Sequence, residues 1–233
     1  MIKIKKDGFT LSEVLVTLAV VGTLAILVLP GLIKDTNNKA MMSNLQSAVS
    51  TLNNAVQNEL ISKGTQSVEN TDIKSDPEAF LQTLDVAKLS KTDTFADKYT
   101  TLNGGNGGKP NVSYAALLKN GIAVGLTNTT NNDSAKAYTT VYVDTNGPNT
   151  PNIIGVDLFA LKISWGTSIP ADANSQPQHS GDLGAFPNGT INYSTTEPNI
   201  ATVKTNCRAG NPAACYLLVE RTSFDPNYIE NAE

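Results

Sequence analysis

The sequence predicts an α+β fold in which a long N-terminal α-helix, a membrane stem, is packed by a small antiparallel β-sheet with long loops. Three observations predict it. Residues 14–33 contain no charged side chain. The residues that follow keep a helical apolar period as far as Gly64. The rest of the chain has short apolar runs separated by Gly, Asn and Pro, which is typical of strands joined by turns.

The N-terminus is basic, and it precedes an uncharged segment that is long enough to cross a membrane as a helix. Lys3, Lys5 and Lys6 come before the uncharged residues 14–33. At about 1.5 Å per residue, this run spans roughly 30 Å as a helix, the thickness of the hydrocarbon core of a bilayer. A secretory signal peptide is disfavoured, because the run is long for one and lacks a small-residue cleavage site after it. A plain signal anchor fits the length and the basic flank, with a cytoplasmic N-terminus.

Glu13 favours a third interpretation, in which the chain is cleaved before the apolar run. After cleavage at Gly8, Glu13 is the fifth mature residue and lies next to lipid, where an unpaired carboxylate is costly. Such a charge requires a partner. The obvious partner is the new α-amino group of Phe9 on a neighbouring subunit.

Residues 5–34 carry a resemblance to a known family. They read KKDG-FTLSEVLVTLAVVGTLAILVLPGLIK, which resembles the class III leader and anchor of type IV pilins and type II secretion pseudopilins. The resemblance implies that a prepilin peptidase cuts after Gly8 and that Phe9 is then N-methylated. Glu13 matches the assembly glutamate of the family. Pro30 matches a proline common in pilin stems, which implies a kink or a flexible joint in the helix.

The resemblance also implies a pilin fold and a structural role. The division is a leader at residues 1–8, a stem helix at 9–63 and a globular pilin head at 64–233. The implied function is that of a minor pilin, or of a type II secretion or competence pseudopilin, in a type IV pilus-like filament. The alternative is a membrane-anchored extracytoplasmic binding or adhesive protein that never polymerises.

Location and partners follow from the same resemblance. The precursor is expected in the bacterial cytoplasmic (inner) membrane with its leader cytoplasmic and its head outside, and later in a periplasmic or extracellular filament. The implied partners are the membrane, a prepilin peptidase, identical or related pilin subunits, an assembly platform protein and an assembly ATPase. A head of this size tilts the expectation towards a minor pilin or pseudopilin.

Beyond the membrane segment, one apolar stripe continues the helix until Gly64, a natural stop. Its members are Leu45, Val49, Leu52, Val56 and Leu60. A second helix is expected to start at Pro77, with an acidic cap before it. The inward residues expected there are Phe80, Leu81, Leu84, Ala87 and Leu89.

Several strands are predicted in the head. Residues 112–118 and 122–126 flank Asn120-Gly121, a strong hairpin signal. The remaining candidates are 138–143 and 158–163, with weaker ones at 191–193 and 200–203. Residues 213–219 are either a short helix or a last strand, because their period does not separate the two.

The connection between two predicted strands, residues 144–157, is rich in oxygen-bearing side chains. The oxygens of Asp144, Asn146, Asn152 and Asp157 could converge on a hard cation such as calcium. The spacing is not that of a twelve-residue EF-hand loop, and the closing Glu is missing. Since Asp and Asn more often hydrogen-bond turn backbones, a purely structural loop is the commoner outcome. No cofactor is otherwise required.

The composition favours a structural protein over an enzyme. Cys207 and Cys215 predict a disulfide in an exported head, against free thiols or a metal site that lacks further ligands. The single histidine, His179, has no nucleophile motif to serve, so no enzyme is expected. A net charge of −4 without a basic face disfavours nucleic-acid binding. Charged residues make up only 16% of the chain, with Asn and Thr in their place.

Overall fold

The computed structural model describes residues 10–127, 138–164, 183–184 and 199–232. The chain divides into two compact units, residues 1–39 and residues 40–233. Helix α1 (Leu11–Ser62) extends through both units. The second half of α1 belongs to the same compact unit as the sheet. The division into a leader at 1–8, a stem at 9–63 and a head at 64–233 stays a prediction.

The ends of α1 follow the sequence signals. Gly64 ends the helix with φ +61°, a left-handed conformation that favours glycine, and its N–H donates to Ile61 O at 3.1 Å. The predicted stripe on the second half of α1 is confirmed as core. Its buried members are Met42, Leu45, Ala48, Leu52, Val56 and Leu60, with Val49 half-buried.

Helix α1 is unbroken at residue 30. The kink or flexible joint expected there stays a prediction. In the first compact unit, the large aliphatic side chains described on α1 are exposed over their whole extent.

Short helices follow α1. A 3-10 turn (Val68–Asn70) precedes α2 (Asp72–Ser75) and α3 (Pro77–Gln82). Asp76 caps α3 by accepting from Ala79 N–H at 3.2 Å, and Pro77 takes the first helical position, as predicted. The prediction that Ala87 faces inward on this helix is wrong. The helix ends at Gln82, and Ala87 is exposed on an edge strand.

One antiparallel sheet of six strands lies in the second unit, in the order β1-β4-β5-β6-β7-β8. A separate two-stranded sheet pairs β2 with β3. The strands are β1 (Val86–Leu89), β2 (Tyr99–Thr100), β3 (Asn106–Gly108), β4 (Tyr114–Leu118), β5 (Ala123–Leu126), β6 (Tyr138–Asp144), β7 (Leu158–Ser164) and β8 (Leu183–Gly184). The hairpin at Asn120-Gly121 is confirmed, as are the strands predicted at residues 138–143 and 158–163. The candidate strand at residues 191–193 lies outside the described residues.

Three helices end the chain: α4 (Ile200–Arg208), α5 (Pro212–Arg221) and α6 (Tyr228–Asn231). The strand predicted at residues 200–203 is wrong. Asn199 accepts from Ala201 N–H at 2.9 Å and so starts a helix there. Asn211 likewise starts α5, which decides the open question about residues 213–219 in favour of a helix.

The α+β class predicted from the sequence is thus confirmed. Antiparallel pairing places Asp144, the last residue of β6, opposite Leu158, the first residue of β7. The two carboxylates singled out in the sequence, Asp144 and Asp157, therefore lie at the same end of the sheet.

Candidate functional site

The start of α1 is closed by a capping box formed by Thr10 and Glu13. The Glu13 carboxylate accepts hydrogen bonds from the N–H of Thr10 at 2.8 Å and from its hydroxyl at 2.7 Å. In return, Glu13 N–H donates to Thr10 Oγ1 at 3.3 Å. A Thr followed three residues later by Glu is the sequence signature of this motif. Within a single subunit, Glu13 thus has partners in its own first turn.

Exposed apolar side chains cover the first part of α1. Fourteen of the fifteen large hydrophobic side chains that are exposed in the described part of the chain lie between Leu11 and Ile33. A contiguous apolar surface of this extent is far larger than a water-soluble monomer normally exposes. Among the described residues, α1 is the helix that is long and apolar enough to cross a membrane.

Gly8 and Phe9, the predicted processing residues, lie outside the described residues. Pro30 lies within the helix, but its side chain is not described. The processing role of Gly8 and Phe9 and the assembly role of Glu13 therefore remain predictions.

A second candidate site lies at the end of the sheet, in the segment that joins β6 to β7, residues 145–157, here called the β6–β7 loop. Asp144 directly precedes this loop and Asp157 is its last residue. Both side chains are completely buried. The hydroxyl of Tyr99 donates a short hydrogen bond to Asp144 Oδ2, and Asn146 N–H donates to Asp144 Oδ1 at 3.0 Å. Asp157 Oδ1 accepts from Ile153 N–H at 2.7 Å.

Burial of these two acids is electrostatically expensive. It raises the pKa of Asp144 to about 7, against the opposing effect of the Tyr99 hydrogen bond. Burial first, and then the nearby charge of Asp144, raise the pKa of Asp157 to about 8. The physical cause is that a carboxylate loses its hydration in the protein interior and a second carboxylate repels it. Two such groups require compensation by protons or by a cation.

Four oxygens of this loop are buried and make no hydrogen bond in the described structure. They are Thr145 Oγ1, Asn146 Oδ1, Asn152 Oδ1 and Asp157 Oδ2. Buried polar atoms without a partner are rare in folded proteins and each calls for an explanation. Three of the predicted metal-ligating residues, Asn146, Asn152 and Asp157, therefore offer free oxygens.

Other contacts of the loop fix these oxygens in place. Thr145 N–H donates to Asp157 O at 2.9 Å, which joins the two ends of the loop. Asn146 Nδ2 donates to Pro151 O at 3.4 Å, which sets the orientation of the amide. Asn152 O accepts from Thr100 N–H at 2.9 Å, which ties the middle of the loop to β2.

The C-terminal helices also contact the β6–β7 loop. Cys207 and Cys215 form the predicted disulfide between α4 and α5. Gly155 has φ +88°, and a Cβ on it would lie 2.8 Å from Cys215 Sγ and 2.9 Å from the Tyr228 hydroxyl. That hydroxyl donates to Gly155 O. Glycine is required at this point both by the backbone conformation and by the close approach of the disulfide.

Sequence reasoning missed two residues of this region and a third residue farther along β7. Tyr99 and Thr145 contribute through tertiary proximity, which no periodic pattern signals. Lys162, on β7, is a buried lysine whose ammonium lies 3.8 Å from the centre of the Tyr138 ring, and burial lowers its pKa to about 8. A lysine within a strand of otherwise apolar residues was the available signal for it.

The side chains described at this end of the sheet offer oxygen atoms and no nitrogen or sulfur ligand. Among the described residues, no group of three or more His, Cys, Asp and Glu side chains is placed to hold a metal ion. The β6–β7 loop instead combines two carboxylates with amide and hydroxyl oxygens, a set that suits hard cations and not zinc.

The N-terminal arrangement defines a class of protein. A basic segment followed by an exposed apolar helix of membrane length is typical of a membrane anchor. Residues 3–29 match the family model described as the prokaryotic N-terminal methylation motif, the class III leader of type IV pilins and pseudopilins. The match includes Gly8, Phe9 and Glu13, and it confirms the resemblance inferred from the sequence. Comparison with curated proteins and with solved structures found no match.

Proposed function

We propose that this protein is a structural subunit of a type IV pilus-like filament, either a minor pilin or a type II secretion or competence pseudopilin. The observation that carries the proposal is the methylation motif at residues 3–29, which leads directly into the exposed apolar part of α1. Proteins with this motif are structural and not enzymatic, so the role proposed is assembly.

The apolar surface of α1 supports both states that a filament subunit occupies. In the membrane, lipid covers the side chains between Leu11 and Ile33. In the filament, the stems of neighbouring subunits cover them. Because lipid tails and packed stems are similarly apolar, moving the helix from one to the other conserves most of the hydrophobic stabilisation.

Glu13 adds a polar interaction to the transfer of the helix from lipid to packed stems. Leader cleavage after Gly8 creates a positively charged amine on Phe9. In an apolar surrounding, an unpaired carboxylate is heavily penalised, so a stem that docks with Glu13 next to a neighbour's Phe9 amine is favoured over one that docks out of register. The capping box with Thr10 holds the carboxylate until that partner is available.

The partners and location of this subunit follow from the proposal. A prepilin peptidase removes residues 1–8 and methylates Phe9, and a platform protein and an ATPase extract the subunit from the inner membrane. The basic residues before the helix keep the leader on the cytoplasmic side. The second compact unit then lies outside the cytoplasm.

The test separates the charge of Glu13 from its capping role. Glu13→Gln keeps a residue that can complete a capping box but removes the charge. Glu13→Ala removes both. We expect both variants to insert into the membrane and to be processed like the wild type, but to be lost from sheared filaments. Asp35→Asn, a change at the other end of the apolar run, serves as the matched control and should assemble normally.

Processing is tested separately with a Gly8 substitution, which should leave a precursor that is heavier by the leader in intact mass. If Glu13→Gln enters filaments as the wild type does, charge pairing is not the function of Glu13. If the processed wild-type protein stays entirely in the membrane and no copies cross-link to each other, the chain is the non-polymerising anchored protein instead.

A further inference from the structure

A pocket lies where β1 ends and β4 continues. Leu89, the last residue of β1, pairs with Ala116, whereas β4 starts two residues earlier, at Tyr114. Beyond Leu89, Ser90 N–H still donates to Ala115 O at 3.1 Å, and the chain then leaves the sheet. Because α3 packs against both strands, a gap of about 230 Å³ remains between α3 and the start of β4.

The floor of this pocket is apolar. Leu81 of α3 is completely buried, Ala115 is 5% exposed, and Leu89 is half-buried. One wall is the half-buried ring of Tyr114, whose hydroxyl makes no hydrogen bond in the described structure. Such a surface favours a ligand with a hydrocarbon group, because its burial removes apolar area from water.

The rim of the pocket carries two opposite charges. Glu78, in the first turn of α3, and Lys91, which follows β1, both line the pocket and are exposed. Neither side chain makes an ion pair within the described part of the chain, so the two charges do not neutralise each other. Lysines close to β1 and β4 in the chain are paired, by contrast: Lys88 with Asp93 at 2.8 Å, Lys109 with Asp97 at 2.9 Å and Lys119 with Asp85 at 2.6 Å.

One class of small molecule matches all three features. An α-amino acid with an apolar side chain carries an ammonium, a carboxylate and a hydrocarbon group on a single carbon. A purely anionic ligand is disfavoured by Glu78, and a purely cationic one by Lys91, because like charges repel. The volume is below the ~300–1,000 Å³ typical of pockets for drug-sized ligands, which limits the occupant to about one amino acid.

We propose that this pocket binds a free apolar α-amino acid. Glu78 pairs with the ammonium of the ligand, Lys91 pairs with its carboxylate, and the side chain of the ligand lies against Leu81. The Tyr114 hydroxyl supplies a further donor for the carboxylate. This function is independent of the filament role proposed above, because all the lining residues lie between Glu78 and Ala115, within the second compact unit.

The first experiment titrates the full-length protein in detergent micelles with L-phenylalanine, followed by saturation-transfer NMR of the ligand. We expect one site with a dissociation constant on the order of 1 mM, which ordinary ligand efficiency gives for about twelve non-hydrogen atoms. At about 10 mM L-phenylalanine, the midpoint of thermal unfolding should rise by roughly 3–6 °C, because the ligand binds the folded state. Empty micelles serve as the blank for the NMR measurement.

Three modified ligands test the two charges separately. N-acetyl-L-phenylalanine lacks the ammonium, and L-phenylalanine amide lacks the carboxylate. Each should bind about threefold more weakly than L-phenylalanine, as expected for the loss of a solvent-exposed ion pair. The dipeptide Gly-Phe moves the ammonium away from the apolar side chain and should also bind more weakly. If Gly-Phe binds more tightly, the pocket recognises the end of a peptide and the proposal is overturned.

Two substitutions on the rim match these ligands. Glu78→Gln should weaken the binding of L-phenylalanine about threefold but leave that of N-acetyl-L-phenylalanine unchanged. Lys91→Gln should behave in the same way, with the amide as the insensitive ligand. A merely structural change would weaken all the ligands alike. Lys98→Gln, at an exposed lysine outside the pocket, is the matched control and should leave binding unchanged.

The proposal is overturned if L-phenylalanine at about 20 mM gives no transfer beyond the blank and no shift of the unfolding midpoint. It is equally overturned if Glu78→Gln weakens L-phenylalanine and its N-acetyl derivative to the same extent, because Glu78 then does not pair with the ammonium. Neither outcome bears on the filament role, which the Glu13 variants test.

Discussion

Replacing Tyr99 with Phe removes one hydroxyl from the centre of the β6–β7 site. The Tyr99 ring is completely buried, and Phe fills the same space. The hydroxyl donates to Asp144 Oδ2 and accepts from Ala96 N–H at 3.2 Å. The substitution therefore leaves a buried carboxylate oxygen and a buried backbone N–H each without this partner.

The expected cost follows from these two losses. A buried group left without its hydrogen-bond partner costs about 1–3 kcal/mol. Two such groups, one of them on a carboxylate, give about 3 kcal/mol for Tyr99→Phe. In a domain the size of the second compact unit, 1 kcal/mol lowers the unfolding midpoint by about 2–4 °C, so the expected fall is roughly 6–12 °C.

The assay is thermal unfolding of the full-length protein in detergent with EGTA, so that metal binding does not enter the comparison. Tyr142→Phe is the matched control. Tyr142 is half-buried on β6, and no hydrogen bond of its hydroxyl is found among the described residues. Tyr142→Phe should change the free energy of unfolding by no more than about 0.5 kcal/mol. If the two variants unfold at the same temperature, the Tyr99 hydroxyl does not stabilise Asp144, and the account of this buried cluster is incorrect.

Three further predictions concern the second compact unit, each measured by denaturant unfolding. Leu52→Ala removes a side chain that is 1% exposed and should cost about 3 kcal/mol, whereas Ile61→Ala on the same helix, 76% exposed, should change stability by less than about 0.5 kcal/mol. Equal effects would mean that the helix stripe is not core. Gly155→Ala should cost about 3 kcal/mol, through its φ of +88° and its clash with the disulfide; a neutral result would show that the loop can move away. Asn211→Ala should cost about 1 kcal/mol, because its side chain caps two N–H groups at the start of α5.

The features that the sequence predicted correctly are those encoded by local patterns. The α1 stripe follows from helical spacing, the end of α1 from Gly64, and the β4–β5 hairpin from Asn120-Gly121. Each of these signals needs only neighbouring residues. The proximity of Asp144 and Asp157 also follows from a local rule, since the strands that they flank are consecutive and antiparallel.

The features that the sequence did not predict depend on tertiary packing. Residues 200–203 have strand-like apolar spacing, but Asn199 caps a helix at this point, and the helix continues to Arg208. The Tyr99 hydroxyl reaches Asp144 across 45 positions of the chain, and no spacing rule anticipates such a contact. The sequence shows that residues 144–157 are rich in oxygen-bearing side chains. Which of these oxygens lack a hydrogen-bond partner depends on the donors that the fold places around them.

The two halves of α1 differ in burial, which bears on the filament register that we propose. The apolar side chains before Ile33 are exposed, whereas the stripe after Met42 is buried within the second compact unit. An exposed apolar helix gains little free energy by exchanging lipid for another stem, because both surroundings are equally apolar. Apolar burial therefore cannot distinguish a correct register from one shifted by a turn. In the described part of this surface, Glu13 is the only acidic or basic side chain before Lys34, which is why we propose it as the residue that sets the register. Since its carboxylate accepts hydrogen bonds from Thr10 in the isolated subunit, the assembly that we propose would require Glu13 to exchange this partner for a neighbour's amine.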